Sequence, residues 1–414
     1  MFDLTQFIRP GDTVVCGQMS AEPLTLTEAL VAQADTQPEA FRDVTVFIGA
    51  TYSHTFDARK ALGLRYASYG ALANAGALSK VKRLAVIPAH YSALPHWFTR
   101  KVLRADVVLL QAARGRSGAQ KGKLSLGSAH GYLLEAARAA RSVVLEVNAE
   151  APYCFGGELP DDIKPAAIIE TARALPTLTP PTIGAVERAI GAHIAALTSH
   201  GATLQLGLGS IPDAALAGLT MHRHLRLHSG MLTEAALPLI ACGAVEGTAI
   251  TGSVTGLPAL YEWARENPQL RLVPSVVSHA HAVLAALPKF TAINSAIEVD
   301  LLGNVNSEVA GGVYVGGTGG AVDFVRAAAA SNGGCSIIAL PASAKGGAIS
   351  RIVARLSGPT TIGAADADTF VTEHGVAQLG GLGQAERARR MIALAAPALR
   401  EGLAEEARQM GFFG

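Results

Sequence analysis

The chain has 414 residues, of which 50% are hydrophobic but only 16% charged and 5% aromatic, and this composition excludes a disordered polypeptide. Its 34 lysines and arginines balance 33 aspartates and glutamates without forming a basic cluster, so nucleic acid is not expected as a partner. No apolar run reaches the roughly 18 residues of a membrane span, so a membrane is not expected either. The cysteines Cys16, Cys154, Cys242 and Cys335 form no CxxC pair, which predicts a cytoplasmic protein without a metal site.

Short apolar runs alternate with alanine-rich stretches through the first part of the chain. The predicted strands there are Asp12–Gly17, Val44–Gly49, Leu84–Ile87, Ala105–Gln111 and Ser142–Val147. A helix is predicted over Ala21–Ala34, after the turn at Ser20. This alternation is typical of βαβ units around a mostly parallel sheet, so we predict an α/β fold.

The stretch Leu159–Ile183 contains five prolines, which predicts a linker. A chain of this length favours two or three domains at about 150 residues each. We therefore place a domain boundary at residue 180, which gives one domain over residues 1–180 and a second over residues 181–414.

The alternation of strands and helices resumes after this boundary. Predicted helices are Ala185–Thr198, Asp213–Gly218 and Glu234–Ala241. Predicted strands are Thr203–Leu208, Leu225–His228, Ala249–Gly252, Leu270–Val273, Ser336–Leu340, Thr360–Ile362 and Thr369–Val371. The second half is therefore predicted to be another α/β domain of similar size.

A strand that runs through Gly207, Leu208 and Gly209 into a helix is the first candidate site. Glycines at such a junction let the backbone approach a ligand, and the helix N-terminus offers free N–H groups to an anion or oxyanion. The alternative is a tight strand-to-helix turn without a ligand.

Further glycines gather over residues 311–320, and Gly319 and Gly320 end this cluster. So many glycines carry an entropic cost, which favours close approach of a ligand over a packing role alone. Lys345 follows a predicted strand within small residues. It is a candidate to bind a phosphate or carboxylate, or else a solvated loop lysine.

These segments, in this order, resemble the acetyl-CoA hydrolase/transferase family, which includes acetate, butyrate and 4-hydroxybutyrate CoA-transferases. Further matches extend the resemblance over most of the chain: residues 11–23, 122–127, 146–152, 227–229, 292–301, 303–306, 322–324, 336–351 and 371–377. The resemblance implies two similar CoA-transferase-type α/β domains with mostly parallel sheets and an active site between them. It also implies coenzyme A as a substrate, with no permanently bound cofactor.

Members of this family transfer CoA through a glutamate that attacks the acyl-CoA thioester and becomes a glutamyl-CoA thioester. In the family that glutamate follows a His-Ser pair, whereas this chain has Gly230 after His228 and Ser229. Glycine has no side chain to form the intermediate.

The resemblance also assigns the remainder of the site. Gly207, Leu208 and Gly209 match the turn that binds the acyl carbonyl and its oxyanion. Gly319 and Gly320 match the CoA loop, and Lys345 matches a position near the CoA nucleotide.

Two glutamates in matching motifs, Glu298 and Glu373, are candidates to activate water in place of the missing nucleophile. Each is alternatively a structural hydrogen-bond acceptor. Glu234 lies one helical turn beyond Gly230 and either reaches back to the site or simply begins the next helix.

Three functions therefore remain open. The first is transfer of CoA from a short-chain acyl-CoA to a small carboxylate such as acetate, in a homodimer or higher homo-oligomer. The second is hydrolysis of the thioester by water, and the third is CoA binding without catalysis.

Overall fold

The computed structural model describes residues 2–413, and their strands form two large sheets that follow one another along the chain. The strands of the first half are β1 (Thr13–Cys16), β2 (Thr45–Phe47), β3 (Arg65–Ser68), β4 (Leu84–Val86), β5 (Val107–Arg114), β6 (Leu124–Ser125), β7 (Ser142–Asn148) and β8 (Ala167–Thr171). Its helices are α1 (Leu24–Thr36), α2 (Ala75–Lys80), α3 (Leu94–Thr99) and α4 (Leu133–Ala139). Within residues 2–413, no helix is both long and apolar enough to cross a membrane.

The second half contains more strands because small additional sheets accompany its large one. Its strands are β9 (Thr203–Leu206), β10 (Arg226–Ser229), β11 (Ala249–Thr251), β12 (Leu270–Leu272), β13 (Phe290–Ser295), β14 (Glu298–Asp300), β15 (Val305–Asn306), β16 (Val309–Ala310), β17 (Val313–Tyr314), β18 (Cys335–Ala339), β19 (Ser343–Ala344), β20 (Ile349–Ser350), β21 (Ile352–Val353), β22 (Thr369–Thr372) and β23 (Gly375–Gln378).

Nine helices accompany those strands among the described residues. They are α5 (Ala185–Leu197), α6 (Ser210–Ala217), α7 (Leu237–Ala241), α8 (Pro258–Ala264), α9 (Ser275–Ser278), α10 (His281–Ala285), α11 (Ala321–Ala330), α12 (Gln384–Leu394) and α13 (Arg400–Gln409). Short 3-10 turns lie at Tyr91–Ala93, Gly118–Gln120, Glu234–Ala236, Lys345–Gly347 and Pro397–Leu399.

The two large sheets repeat the same strand order. The first runs β4-β3-β2-β1-β5-β7-β8, with β6 paired to β5, and the second runs β12-β11-β10-β9-β13-β18-β22-β23. In each, three strands are added on one side of the first strand, and the chain then continues on its other side. Pairing is parallel throughout these sheets except for β5 with β6 and β22 with β23. The prediction of an α/β fold with two similar, mostly parallel sheets is confirmed.

Apolar side chains cover both faces of each large sheet, as the first sheet illustrates. Val14 and Val15 are adjacent on β1 and both are fully buried, yet they belong to different hydrophobic clusters. Successive side chains of a strand point to opposite faces, so the sheet needs apolar cover on both sides.

The structure corrects three predicted elements. The predicted linker contains the strand β8, whose alternating half-buried pattern lies on the edge of the first sheet. The predicted strand Thr360–Ile362 is reduced to one bridge between Ile362 and Val305, because the N–H groups of Thr361 and Ile362 both donate to the same acceptor, Val305 O. Helix α1 begins at Leu24, after Pro23, and not at Ala21.

The boundary predicted at residue 180 lies between β8 and α5, the last strand of the first sheet and the first helix of the second half. It stays a prediction. The halves contact each other through backbone hydrogen bonds: Tyr91 N–H donates to Gly319 O (2.8 Å), and Ala71 N–H donates to Gly316 O (2.8 Å). These contacts hold the glycine-rich segment of the second half against the first half.

Candidate functional site

A cavity of about 320 Å³ lies between the two halves. It opens at the carboxyl ends of parallel strands from both sheets, where binding sites of α/β proteins characteristically form. Its lining comprises Gln18, Met19, Tyr69, Leu72, Tyr91, Gln205, Leu206, Gly207, Leu208, Gly230, Met231, Gly252, Ser253, His279, Asn294, Ser295, Ser307, Gly317, Thr318, Gly319, Gly320, Ala321 and Phe324.

The first half contributes a hydrogen-bonded group centred on Gln18. Its side-chain Nε2 donates to Tyr91 Oη (2.6 Å), and its Oε1 accepts from Tyr69 Oη (2.9 Å). Both aromatic rings are buried. The group therefore forms a rigid wall with neutral polar edges, because each partner satisfies the other.

Glu22 anchors the loop that carries Gln18. Its carboxylate accepts hydrogen bonds from the hydroxyl groups of Thr51 (2.7 Å), Ser53 (2.7 Å) and Thr27 (3.2 Å). Burial raises its pKa, and these hydrogen bonds offset part of that effect. Glu22 is outside the cavity lining and acts in this structure as a positioning group.

The turn over residues 207–209 connects β9 to α6. Gly207 N–H donates to Ile293 O (3.0 Å), so that donor is already occupied. Among the described residues, no protein acceptor binds the Leu208 N–H, and Leu208 lines the cavity. Gly209 adopts φ 122° and ψ −179°, a conformation that is essentially restricted to glycine. The turn therefore offers the Leu208 N–H at the N-terminus of α6 as a donor for an oxyanion.

A pair of amide side chains lines the cavity beside this turn. Asn294 Nδ2 donates to Gln205 Oε1 (3.0 Å), and Gln205 Nε2 donates back to Asn294 Oδ1 (3.4 Å). They come from the adjacent strands β9 and β13. The pair presents hydrogen-bonding groups without a formal charge.

Gly230 lies at the end of β10 and lines the cavity, and the ring of His279 occupies the space beside it. A Cβ built on Gly230 would lie 3.0 Å from both His279 Cε1 and Nε2. The His279 ring is itself held between Tyr91 and Phe324, with ring centroids 4.7 and 4.6 Å away. A larger side chain at position 230 would therefore displace a well-packed imidazole.

The glycine cluster serves contacts within the protein as well as the cavity. A Cβ on Gly317 would lie 2.7 Å from the Cα of Gly70, and one on Gly320 would lie 2.5 Å from the His279 ring. Gly319 has φ 51° and lines the cavity together with Gly320. Packing of the two halves thus requires some of the glycines that the sequence pattern assigned to a ligand.

The glutamates proposed from sequence lie elsewhere. Glu298 is buried, and its Oε1 accepts from Asn306 Nδ2 (3.0 Å) and from the N–H (2.6 Å) and hydroxyl (2.9 Å) of Ser357. Glu373 Oε2 accepts from Ala342 N–H (2.8 Å). Neither side chain is part of the cavity lining.

Three further predicted residues are also outside the lining. Lys345 is exposed, Gly209 lines a smaller neighbouring pocket, and the Glu234 carboxylate accepts from Leu257 N–H. The structure therefore brings together Gly207, Leu208, Gly230 and the pair Gly319–Gly320, but none of the candidate carboxylates. Within residues 2–413, no group of three His, Cys, Asp or Glu side chains is placed to hold a metal ion.

Asp213, in the first turn of α6, makes the folding stability of the protein depend on pH. Burial, and then the Glu234 carboxylate, raise the pKa of Asp213 from 3.8 to about 6. The folded protein therefore binds this proton more tightly than the unfolded chain, and folding stability falls as the pH rises from about 4 to about 6.

We expect Asp213→Asn to remove this loss, so that the variant gains stability relative to the wild type between pH 4 and pH 7. Urea unfolding at both pH values measures the difference, with the exposed Asp161→Asn as the matched control. An equal difference at the two pH values would contradict the expectation.

Sequence reasoning missed several residues of the cavity. Gln18, Gln205 and Asn294 lie within segments that matched the family, so their positions beside the turns were a usable signal. The sequence contained no signal for His279, because only the folded chain brings this residue to Gly230. Tyr91 likewise reaches the cavity through the packing of the two halves.

Comparison with known proteins is consistent with this geometry. Residues 256–407 match the family model described as "Acetyl-CoA hydrolase/transferase C-terminal domain". The chain is 35% identical over 329 residues to 4-hydroxybutyrate coenzyme A transferase of Clostridium kluyveri, covering 77% of this chain and 76% of that protein.

Solved structures show the same fold over nearly the whole chain. RipA from Yersinia pestis superposes with a TM-score of 0.91 at 28% identity, covering 99% of this chain and 96% of that one. A 4-hydroxybutyrate CoA-transferase from Porphyromonas gingivalis superposes with a TM-score of 0.81 at 29% identity, covering 98% and 96%.

Proposed function

This chain belongs to the acetyl-CoA hydrolase/transferase family, and from that premise we propose that it moves CoA from a short-chain acyl-CoA to a small carboxylate such as acetate. Coenzyme A is then a substrate and not a permanently bound cofactor. The family comprises enzymes named CoA-transferases and acetyl-CoA hydrolases, and the similar proteins are named for such reactions.

The observation that carries the proposal is the free Leu208 N–H at the wall of the cavity. Attack on a thioester places negative charge on the carbonyl oxygen, and a preorganised backbone donor stabilises that charge in the transition state. The neutral amides of Gln205 and Asn294 on the adjacent strands suit an uncharged acyl group. We place the acyl end of the substrate here, with its carbonyl oxygen toward Leu208.

We place the remainder of CoA along Gly319 and Gly320, and its nucleotide toward Lys345. Gly319 and Gly320 line the same cavity as Leu208, so a thioester could lie between the two glycine turns. Lys345 is exposed and available to a phosphate. Glu298 and Glu373 could activate water only if their segments moved toward the cavity, because neither side chain lines it in this structure.

Gly230 in the position of the family's nucleophilic glutamate favours a second candidate function, hydrolysis of the acyl-CoA by water. No carboxylate side chain lines the cavity among the described residues, and water needs no covalent carboxylate partner. A CoA-binding protein without catalysis is the third outcome that an assay must separate.

Domain organisation, location and oligomeric state belong to the same proposal. The repeated strand order supports two domains, over residues 1–180 and 181–414. The four cysteines are free, which supports a reducing, cytoplasmic location. The protein is further proposed to form a homodimer or higher homo-oligomer, and light scattering measures its mass in solution.

The experiment supplies acetyl-, propionyl- and butyryl-CoA together with isotopically labelled acetate. Labelled acetyl-CoA, detected by chromatography, is the result expected of a transferase. Release of free CoA without an acceptor supports hydrolysis. If CoA binds in calorimetry but neither product forms with any donor, both enzymatic proposals are wrong.

A further inference from the structure

His279 occupies the space that a nucleophilic side chain at position 230 would need. Its ring lies 3.0 Å from the Cβ position of Gly230 and 2.5 Å from that of Gly320, so two glycines of the cavity accommodate it. The residue is only 5% exposed, and its ring lines the cavity. The absence of side chains at positions 230 and 320 thus leaves the space that this ring occupies.

The hydrogen-bond partners of His279 fit a tautomer in which Nε2 is free. Nδ1 lies 2.9 Å from Ser278 Oγ, and that hydroxyl also lies 3.3 Å from Pro274 O. When the Ser278 hydroxyl donates its proton to Pro274 O, Nδ1–H of His279 donates to Ser278 Oγ. The lone pair is then on Nε2, for which no hydrogen-bond partner is found within residues 2–413.

His279 is the one basic side chain of the described cavity lining, whereas the serine and threonine hydroxyls there would need a base to activate them. That lining contains no aspartate, glutamate, lysine, arginine or cysteine, and His279 is its sole imidazole. Burial, and then the nearby His228, lower the pKa of His279 to about 3, so the ring is neutral near pH 7. A neutral imidazole keeps its lone pair available, and the same burial destabilises the acyl-imidazolium cation, which makes the imidazole a good leaving group once acylated.

We propose that His279 Nε2 takes the place of the family's carboxylate nucleophile and carries the acyl group as an acyl-imidazole. This inference rests on the proposed function, since it requires that the protein cleaves an acyl-CoA thioester. His279 is then a catalytic residue, and Ser278 is a positioning residue that selects its tautomer.

The bond changes balance without an oxidant or reductant. The Nε2 lone pair attacks the thioester carbonyl carbon, the C–S bond breaks with its electron pair on sulfur, and CoA thiolate and an acyl-imidazolium form. The acceptor carboxylate attacks the acyl carbon, and the C–N bond breaks to return the electron pair to Nε2. The mixed anhydride so formed is attacked by the thiolate at the acceptor's carbonyl carbon, which gives the new acyl-CoA and the original acid as its carboxylate.

The same intermediate accounts for hydrolysis. When water replaces the acceptor, it adds to the acyl carbon and the C–N bond breaks, with one proton of water going to the thiolate and the other released to solvent. The Leu208 N–H stabilises the oxyanion of each addition step. One imidazole therefore serves both candidate functions, and the acceptor decides between them.

The test compares the wild type with His279→Ala, Ser278→Ala and His130→Ala. His130 is the matched control, because it is another buried histidine whose pKa is lowered by burial but which is outside the cavity lining. With butyryl-CoA as donor and labelled acetate as acceptor, we expect His279→Ala to lower the formation of labelled acetyl-CoA, and any release of free CoA, by about 10³-fold or more while CoA binding by calorimetry is retained. Added imidazole should restore part of the rate in His279→Ala alone, with saturation.

The number of acyl groups bound per protein molecule distinguishes a nucleophilic His279 from one that only packs against its neighbours. Wild-type protein mixed rapidly with butyryl-CoA and analysed at once at neutral pH by intact-protein mass spectrometry should carry one butyryl group that is absent from His279→Ala, and hydroxylamine should remove it. Ser278→Ala should slow this acylation without abolishing it.

The outcomes separate the two proposals. If the wild type forms neither labelled acetyl-CoA from butyryl-CoA and labelled acetate nor free CoA, the proposed function is overturned, and this inference with it. Product formation that persists in His279→Ala, or an acyl group found on a glutamate, would overturn the role of His279 alone.

Discussion

Replacement of Gly230 by glutamate is expected to leave the protein without glutamate-based CoA transfer, although it restores the residue of the family. The new Cβ would lie 3.0 Å from a His279 ring that is packed between Tyr91 and Phe324. Overpacking of this kind costs about 1–3 kcal/mol of unfolding free energy. The carboxylate therefore cannot take up its attacking position unless the imidazole leaves.

Removal of the imidazole in the same molecule should release that constraint. Gly230 has no positive φ, so a side chain there meets no backbone strain, and the three atoms nearest to its Cβ position belong to His279 and Phe324. We expect Gly230→Glu combined with His279→Ala to exceed either single variant in CoA transfer to acetate by about 10²-fold or more.

Borohydride trapping identifies the intermediate of the double variant, because it reduces a glutamyl thioester to an alcohol that mass spectrometry locates at residue 230. The matched control is Gly230→Gln combined with His279→Ala, which has the same shape without a nucleophilic carboxylate. Equal rates for the glutamate and glutamine forms would show that position 230 does not correspond to the family's nucleophile.

Replacement of Gly209 by alanine is expected to produce the second large effect. Nothing lies within 4 Å of a Cβ at this position, but φ 122° with ψ −179° belongs to a region that side chains avoid. Such a conformation costs about 1–3 kcal/mol for a residue other than glycine, so the turn should shift to relieve it. A shifted turn moves the Leu208 N–H away from the oxyanion, which lowers kcat by about 10²–10³-fold.

The control for backbone strain is Gly207→Ala in the same turn. Gly207 has no positive φ, and the nearest atom to its Cβ position is Ile293 O at 3.7 Å, an ordinary contact. Urea unfolding should therefore show a larger loss of stability for Gly209→Ala than for Gly207→Ala. Wild-type kcat in Gly209→Ala would refute the assignment of an oxyanion donor to this turn.

The sequence predicted the two glycine turns of the cavity because their signals are local. A strand that ends in Gly207 and Gly209 before a helix is recognisable from neighbouring residues, and both Gly207 and Leu208 line the cavity. Strand β13 was missed, although it lies in the centre of the second sheet, because its segment was read only as part of a family motif.

Candidate residues chosen by motif were less reliable than those chosen by backbone geometry. Glu298 and Glu373 lie in matching segments, yet their carboxylates are bound to Ser357 and Ala342 outside the cavity lining. A motif places a segment near a site, but the direction of each side chain depends on which backbone groups it meets in the fold.

By itself, the sequence determined an α/β chain of this family with a backbone turn suited to an oxyanion and a glycine at position 230, because composition, periodicity and motifs are local properties. Tertiary structure alone decided that the two sheets share one strand order and that His279 fills the space beside Gly230. Both depend on contacts between residues far apart in the chain, which form only when strands pair and the halves pack.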